Sequence, residues 1–442
     1  MKLKGIQALV VGMKKSGMAS AALLAREGAR VRATDLKALD ALPGVRELNI
    51  PFAQQTAEVF ESADLIVLSP DVPADLGPLV EARGRGVPVI GEVELAAEFL
   101  KGRTIGITGS NGKTTTTSLT GHILRESGIN VQVGGNIGLP VTAMIDTSRE
   151  DGWNVLELSS FQLETIVEFR AHIAVALNVT QNHLDRHHTL ENYAAAKGRL
   201  LATQRRGDFA VLNADDAVCV GYAAGSGATA QWFSSRGKVE PGAWLSGDTL
   251  ILDGQPLMPA GEIPIRGRHN VENVLAASIA AARAGVSHAG IAAAVRTFRA
   301  VEHRLEFVRS VSGVEFYNDS KATSVDATLK AVDAFGGGLW VILGGKDKGL
   351  EYTALRAPLA AKAHAALLIG AAAAKIADQL QGAVPLVPAG TIEAAIAHAY
   401  AHAVPGDTVL LAPACASFDQ FQSYEHRGQF FKQIVNQLQA KD

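Results

Sequence analysis

Lys113 and Thr114 end the segment Gly109-Ser110-Asn111-Gly112-Lys113-Thr114, whose residue types in this order suit the phosphates of a nucleotide. Two glycines let successive backbone N–H groups turn toward phosphate oxygens, at the positive end of a helix dipole. Lys113 would meet the outer phosphates, and the Thr114 hydroxyl is placed to hold a magnesium ion. Ile107 stands where the general pattern G-x-x-x-x-G-K-[ST] has its first glycine, so GKT alone reads equally as a surface turn with a solvated lysine. The context favours the phosphate loop. The apolar run Ile105-Gly106-Ile107 predicts a strand before it, and Thr115, Thr116, Thr117, Leu119 and His122 fall at helical spacing after it.

Other residues with chemistry follow in order. Glu157 lies within Trp153–Glu164, read as one strand, among apolar neighbours. A buried carboxylate needs a partner, either a metal ion or an arginine or lysine. His183, in Gln181-Asn182-His183-Leu184-Asp185-Arg186-His187-His188, follows the strand AHIAVALNVT, and polar residues at a strand's carboxyl end lie where open α/β sheets place ligands. It reads as a metal ligand, a base or a structural histidine; His187 and His188 read as capping or solvated. Asn270 and Asn273 are one helical turn apart, and an N-cap with a surface amide would explain them equally.

The elements that must position these groups alternate between strand and helix. Gly5 to Gly12 reads as a strand, Gly12–Gly17 as a loop, Met18–Glu27 as a helix and VRATD as a second strand ending at Asp35, a βαβ start of the Rossmann type. Gly12-Met13-Lys14-Lys15-Ser16-Gly17 has Lys14 where a dinucleotide site needs its middle glycine. That disfavours NAD and leaves a single nucleotide diphosphate, helped by Lys14 or Lys15. A further strand closes at Ser69-Pro70-Asp71-Val72, and 207–264 reads as peripheral strands and turns. From about Arg296-Thr297-Phe298 a second α/β domain without its own phosphate loop begins.

With 442 residues, 48% hydrophobic and 19% charged, the chain is globular and long enough for about three domains. A net charge of -3 gives no basic face for nucleic acid. Two distant cysteines, Cys219 and Cys415, suit a reducing compartment. The N-terminal apolar run is too short and polar for a signal peptide, and no run of membrane-spanning length occurs, so a cytoplasmic location is expected.

The segments TGSNGKT, NHLDRH with ENYAAAKGRL, NDSKAT, LGGKDKG and PACASFDQF resemble those of the Mur ligases, which add amino acids to the peptidoglycan precursor. The resemblance covers nearly the whole chain and lies nearest the branch that adds D-glutamate. It implies three α/β domains: a Rossmann-like UDP-binding domain at 1–93, a central P-loop ATP-binding domain at 94–298 and a Rossmann-like amino-acid-binding domain at 299–442. It implies an ATP-dependent ligase acting on UDP-N-acetylmuramoyl-L-alanine and D-glutamate through an acyl phosphate, as a monomer without membrane insertion. ATP would be held by Gly109, Ser110, Asn111, Gly112, Lys113, Thr114, Thr115, Asn270, Asn273, Arg304 and Asp319. Two magnesium ions are implied on Thr114, Glu157, His183 and a Lys197 carbamylated by carbon dioxide, with Lys113 also catalytic. The UDP substrate would meet Lys15, Ser16, Asp35, Lys37, Ser69, Asn136 and His183, and D-glutamate would meet Asn182, Thr323, Lys348, Ser417 and Tyr424. Asp71 replaces the family's glycine at the Ser69 loop, where a carboxylate repels a diphosphate. Three rivals stand beside this reading. A folylpolyglutamate synthetase shares the P-loop but lacks the N-terminal βαβ unit, a nicotinamide oxidoreductase is opposed by Lys14, and a nucleotide switch would hydrolyse ATP without an amine substrate.

Overall fold

The computed structural model describes residues 2–441, and among them three sheets form. The first runs Phe52–Gln54, Arg30–Asp35, Gln7–Val11, Leu65–Leu68, Val89–Gly91, all parallel. Its inner strands, QALVV and LIVL, are apolar and buried from Ala8 to Val11 and from Leu65 to Leu68 because helices cover both faces. The chain builds outward from one side of Gln7–Val11 and then returns to the other. The loops after Gln7–Val11 and Leu65–Leu68 therefore flank the point where strand order reverses. They touch there: a Cβ on Gly12, at φ +85°, would lie 2.8 Å from Val72 Cγ2 and 2.9 Å from Ser69 Cβ.

The first helix spans Lys15–Arg26, starting three residues before the expected Met18. Gly17 explains the difference. A Cβ there would meet the Gly12 carbonyl at 1.8 Å, so this glycine lets the first helical turn lie against the strand end and belongs to the helix, not the loop.

The second sheet runs Gln255–Pro259, Thr249–Leu252, Gly242–Ser246, Thr229–Ser234, Phe209–Asn213, Ile173–Ala176, Arg103–Thr108, Trp153–Glu157, Val131–Gly135. Its last two pairings at the Gln255 end are antiparallel and the rest parallel. Residues 207–264 thus extend the central sheet. Trp153–Glu164 is not a single strand: it ends at Glu157, and Ser159 with Gln162 forms a reciprocal capping box that starts a helical turn at Ser160–Leu163. Val131–Gly135 is the edge strand at the other end of this sheet.

The third sheet runs Glu306–Val311, Val314–Asn318, Thr408–Leu411, Leu339–Gly344, Ala363–Ile369, Leu386–Gly390, with only the first pair antiparallel. The architecture is three-domain α/β. By packing, the chain divides into two compact units: Met1–Glu262 with Glu272–Arg296, which carries the first two sheets, and Ile263–Val271 with Thr297–Asp442, which carries the third. Among the described residues no helix is long and apolar enough to cross a membrane.

Candidate active site

The phosphate loop leaves the strand Arg103–Thr108, which lies between Trp153–Glu157 and Ile173–Ala176, and enters the helix Lys113–Glu126. Gly112 caps that helix at φ +84°, and a Cβ on it would lie 2.3 Å from Asn273 Oδ1. Thr116 in turn donates its hydroxyl to that amide oxygen at 3.2 Å. Asn178 clamps the loop: its Oδ1 accepts the Asn111 N–H at 2.8 Å and its amide donates to the Asn111 carbonyl at 3.2 Å. Ser110 Oγ donates to the Thr180 carbonyl at 3.0 Å and accepts the Thr180 N–H at 2.9 Å. The loop is thereby fixed to the neighbouring strand end before any ligand arrives. Lys113 Nζ donates to the loop's own carbonyls, Gly109 at 2.7 Å and Ser110 at 3.1 Å. Thr114 is buried and Thr115 half-buried.

Glu157 and Lys197 are both buried, at 2% and 1% exposure, where an ion without compensation is costly. Glu157 Oε1 accepts from Asn136 Nδ2 at 2.7 Å, while Oε2 has no hydrogen-bond partner. Among the described residues neither arginine nor lysine bonds this carboxylate. Lys197 Nζ donates to the Gly109 carbonyl at 2.9 Å and sits 4.5 Å from the centre of the Tyr193 ring. Burial first, then the Lys113 charge, pushes the Lys197 amine well below its ordinary range, although Glu157 opposes the shift. His183 begins the single turn Leu184–His187 with a left-handed backbone, φ +53°. His183 is exposed as a residue, but partial burial of its ring and then the Lys113 charge lower its affinity for a proton, against the pull of Asp185. An orphaned carboxylate oxygen, a threonine hydroxyl and a neutral imidazole around a phosphate loop fit a divalent cation, the oxygens suiting magnesium. The group of three His, Cys, Asp or Glu ligand atoms that lie within 4.8 Å of one another among the described residues is a different one, Glu302, His303 and Glu306. There Lys432 Nζ already bonds Glu302 at 2.9 Å and Glu306 at 2.6 Å.

His187 is neither capping nor solvated as the sequence suggested; it is buried. Its Nε2 pairs with Ser160 Oγ at 2.9 Å and its Nδ1 lies 3.2 Å from Glu164. His188 is exposed, as is Asn182, whose Oδ1 accepts the His183 N–H at 3.0 Å.

In the first sheet Asp35 shapes the glycine loop, accepting the Met13 N–H at 2.7 Å and the Lys37 N–H at 2.9 Å. Lys15 and Lys37 are exposed, Ser16 half-buried and Ser69 buried. Asp71 turns to Lys14 at 2.5 Å, so the carboxylate expected to repel a diphosphate is paired with the lysine beside it. Asn136, by its bond to Glu157, belongs to the central cluster.

In the second unit the loops after three adjacent strands, Val314–Asn318, Thr408–Leu411 and Leu339–Gly344, carry Asp319 with Thr323, Ser417, and Lys348. Burial raises the Asp319 carboxyl to about 7, against the opposing pull of Arg304 and the Leu305 backbone. Ser417 is buried, Thr323 half-buried and Lys348 exposed. Tyr424 begins the helix Tyr424–Gln437, and its hydroxyl accepts from Lys321 Nζ at 2.9 Å. Arg427, 1% exposed, donates to Ser320 Oγ at 3.0 Å, to the Ser320 carbonyl at 2.8 Å and to the Cys415 carbonyl at 3.1 Å. It fastens two of these loops together. Sequence reasoning missed Arg427, because an arginine on an amphipathic helix ordinarily faces solvent. It also missed Asn178, which its place at a strand's carboxyl end could have flagged. Asn270 is buried on the helix Arg268–Arg283, its amide donating to the Arg266 carbonyl at 2.6 Å.

Three family models match the chain in order: "Mur ligase MurD-like, N-terminal domain" over 6–91, "Mur ligase middle domain" over 107–281 and "Mur ligase, glutamate ligase domain" over 303–415. A UDP-N-acetylmuramoylalanine–D-glutamate ligase of Solibacter usitatus is 78% identical over 442 residues, all of both chains. The enzyme of that name from Koribacter versatilis is 48% identical, again covering 100% of each. The UDP-N-acetylmuramate–alanine ligase structure from Thermotoga maritima shares the fold, with TM-score 0.62, 18% identity and coverage of 98% of this chain and 99% of that one. A pseudomurein peptide ligase from Methanothermus fervidus does so at TM-score 0.60 and 19% identity, covering 98% and 99%. On these matches, end to end with the phosphate loop and its buried carboxylate, the chain belongs to the Mur ligase family of ATP-dependent ligases.

Proposed function

We propose that the chain joins D-glutamate to UDP-N-acetylmuramoyl-L-alanine through an acyl phosphate, with ATP converted to ADP and phosphate. The observation that carries this reading is the full-length 78% identity to a ligase of that name. The substrate carboxylate takes the γ-phosphoryl group of ATP, the D-glutamate amine attacks the activated carbonyl carbon, and phosphate leaves as the amide forms. Lys113 carries charge to the phosphates, and Arg304 and Asp319 are assigned to ATP as well. The loop Gly109, Ser110, Asn111, Gly112 cradles the phosphates with Thr115, and Asn270 and Asn273 face the adenine. Support for this loop role is its rigid hold by Asn178 and Ser110, which prepays the ordering that catalysis needs.

Thr114, Glu157, His183 and a carbamylated Lys197 would hold magnesium, taken as two ions, which neutralises charge developing on the transferring group. The partnerless Glu157 Oε2 and the depressed basicity of Lys197 support this, since a neutral amine is the form that adds to carbon dioxide. Lys15, Ser16, Asp35, Lys37, Ser69, Asn136 and His183 meet the UDP substrate. Asn182, Thr323, Lys348, Ser417 and Tyr424 meet D-glutamate. The domains divide at 1–93, 94–298 and 299–442, and the enzyme works as a cytoplasmic monomer. Phosphate release from ATP, with UDP-N-acetylmuramoyl-L-alanine present and D-glutamate added or withheld, tests the reading. Release needing both, with the dipeptide product seen by mass, is expected. Release indifferent to D-glutamate overturns it.

A further inference from the structure

His183 stands in a left-handed backbone conformation, φ +53°, that few residues other than glycine adopt, at the head of a helix only four residues long. So short a turn cannot hold itself, and contacts from outside must fix it. His187 is anchored by Ser160 and Glu164, both from the central domain. Arg186 reaches further. Its Nη2 donates to Glu164 Oε2 at 2.7 Å and to the Val72 carbonyl at 2.8 Å, and its Nη1 donates to the Asp71 carbonyl at 3.4 Å. The guanidinium lies 5.0 Å from the centre of the Phe161 ring, and the pair with Glu164 is 12% and 16% exposed. Glu164 alone would satisfy the charge. Donation to two carbonyls of the loop after Leu65–Leu68 makes the His183 turn depend on where that loop stands. The same loop pairs Asp71 with Lys14 across the point where strand order reverses.

We infer that Arg186 is a positioning residue that couples the loop 69–72 to the His183 turn, so that engagement of the UDP substrate at that loop completes the phosphoryl-transfer site. The inference rests on the reading of that loop as substrate-binding. Coupling of this kind is reciprocal: a disturbed His183 turn must weaken substrate binding at the loop. A planar fork makes the three-way tie, and a lysine ammonium can reproduce only part of it.

Steady-state kinetics of Arg186→Met, Arg186→Lys and Glu164→Gln tests it against the wild type. Ligation by the wild type checks the underlying reading separately. In Arg186→Met the KM for UDP-N-acetylmuramoyl-L-alanine is expected to rise about tenfold, equivalent to about 1.4 kcal/mol. The KM values for ATP and D-glutamate should stay within about twofold, and Arg186→Lys should recover part of the loss. An unchanged KM for the UDP substrate, a common rise in all three, or no recovery by lysine overturns the inference. Should Arg186→Met fail to fold, Glu164→Gln removes the charge that holds Arg186 and weakens the tie from the central side. The same selective rise is then expected, and its absence is decisive against the coupling.

Discussion

Lys197 and Glu157 are both buried beside the phosphate loop, Lys197 donating to its Gly109 carbonyl and Glu157 accepting from Asn136, and they are not bonded to each other. An ammonium so deeply buried beside Lys113 is driven toward its neutral form, the chemical precondition for carbamylation. In bicarbonate labelled with carbon-13, the wild type should therefore give a carbamate resonance that Lys197→Ala lacks. That variant should lose on the order of 10- to 100-fold in turnover, as removal of a group supporting a metal does. Lys113→Ala should cost on the order of 10²–10³ in kcat with the melting temperature little changed, because its Nζ donates to carbonyls of the loop itself, Gly109 and Ser110. Asp319 makes a pH prediction. Its carboxyl, raised to about 7, stays protonated in the fold while the unfolded chain has already released the proton near its ordinary value. Between those values the folded state binds more protons, so stability falls as pH rises, by at most about 1.4 kcal/mol per pH unit. Denaturant midpoints of wild type and Asp319→Asn, compared from pH 4 to 8, should diverge in that window, the wild type losing ground as pH rises.

Elements here end where side chains take over backbone hydrogen bonds. The capping box Ser159 and Gln162 stops the strand Trp153–Glu157 just past its carboxylate, leaving Glu157 at the sheet's carboxyl end beside the phosphate loop. Gly112 performs the equivalent service for the helix Lys113–Glu126. Gly112→Ala forces a side chain into a left-handed cap and against Asn273, so a stability loss of about 1–2 kcal/mol and a raised KM for ATP are expected. Asn178→Ala removes two bonds to the loop without touching ligand, and should raise the same KM while leaving the helix intact by circular dichroism. The strand–loop–helix at the phosphate site was legible in the sequence because an apolar run, two glycines and helical spacing agree locally. The start of the first helix was not. Gly17 reads as a loop residue until its contact with the Gly12 carbonyl is known.

At the scale of the whole chain, each sheet gathers its polar loops at the carboxyl ends of its inner strands, which is why residues distant in sequence act together. The division into two compact units predicts that unfolding is not two-state. Calorimetry should resolve two transitions, and ATP with magnesium should move chiefly the one belonging to the unit that holds residues 109–114; at a hundredfold excess over Kd the shift corresponds to about 2.7 kcal/mol. A single transition unmoved by nucleotide would contradict this. The sequence by itself determined the alternating α/β class, the phosphate loop, the family and the carboxylate and histidine at strand ends, because these are written in local spacing and in motifs. Only the tertiary structure decided that Glu157 keeps a partnerless oxygen, that Asp71 spends its charge on Lys14, that His187 is buried and that Arg427 and Arg186 fasten loops from different strands. Those outcomes depend on which side chains meet across tens or hundreds of residues, and burial, which sets the cost of every unpaired charge, exists only once the chain has folded.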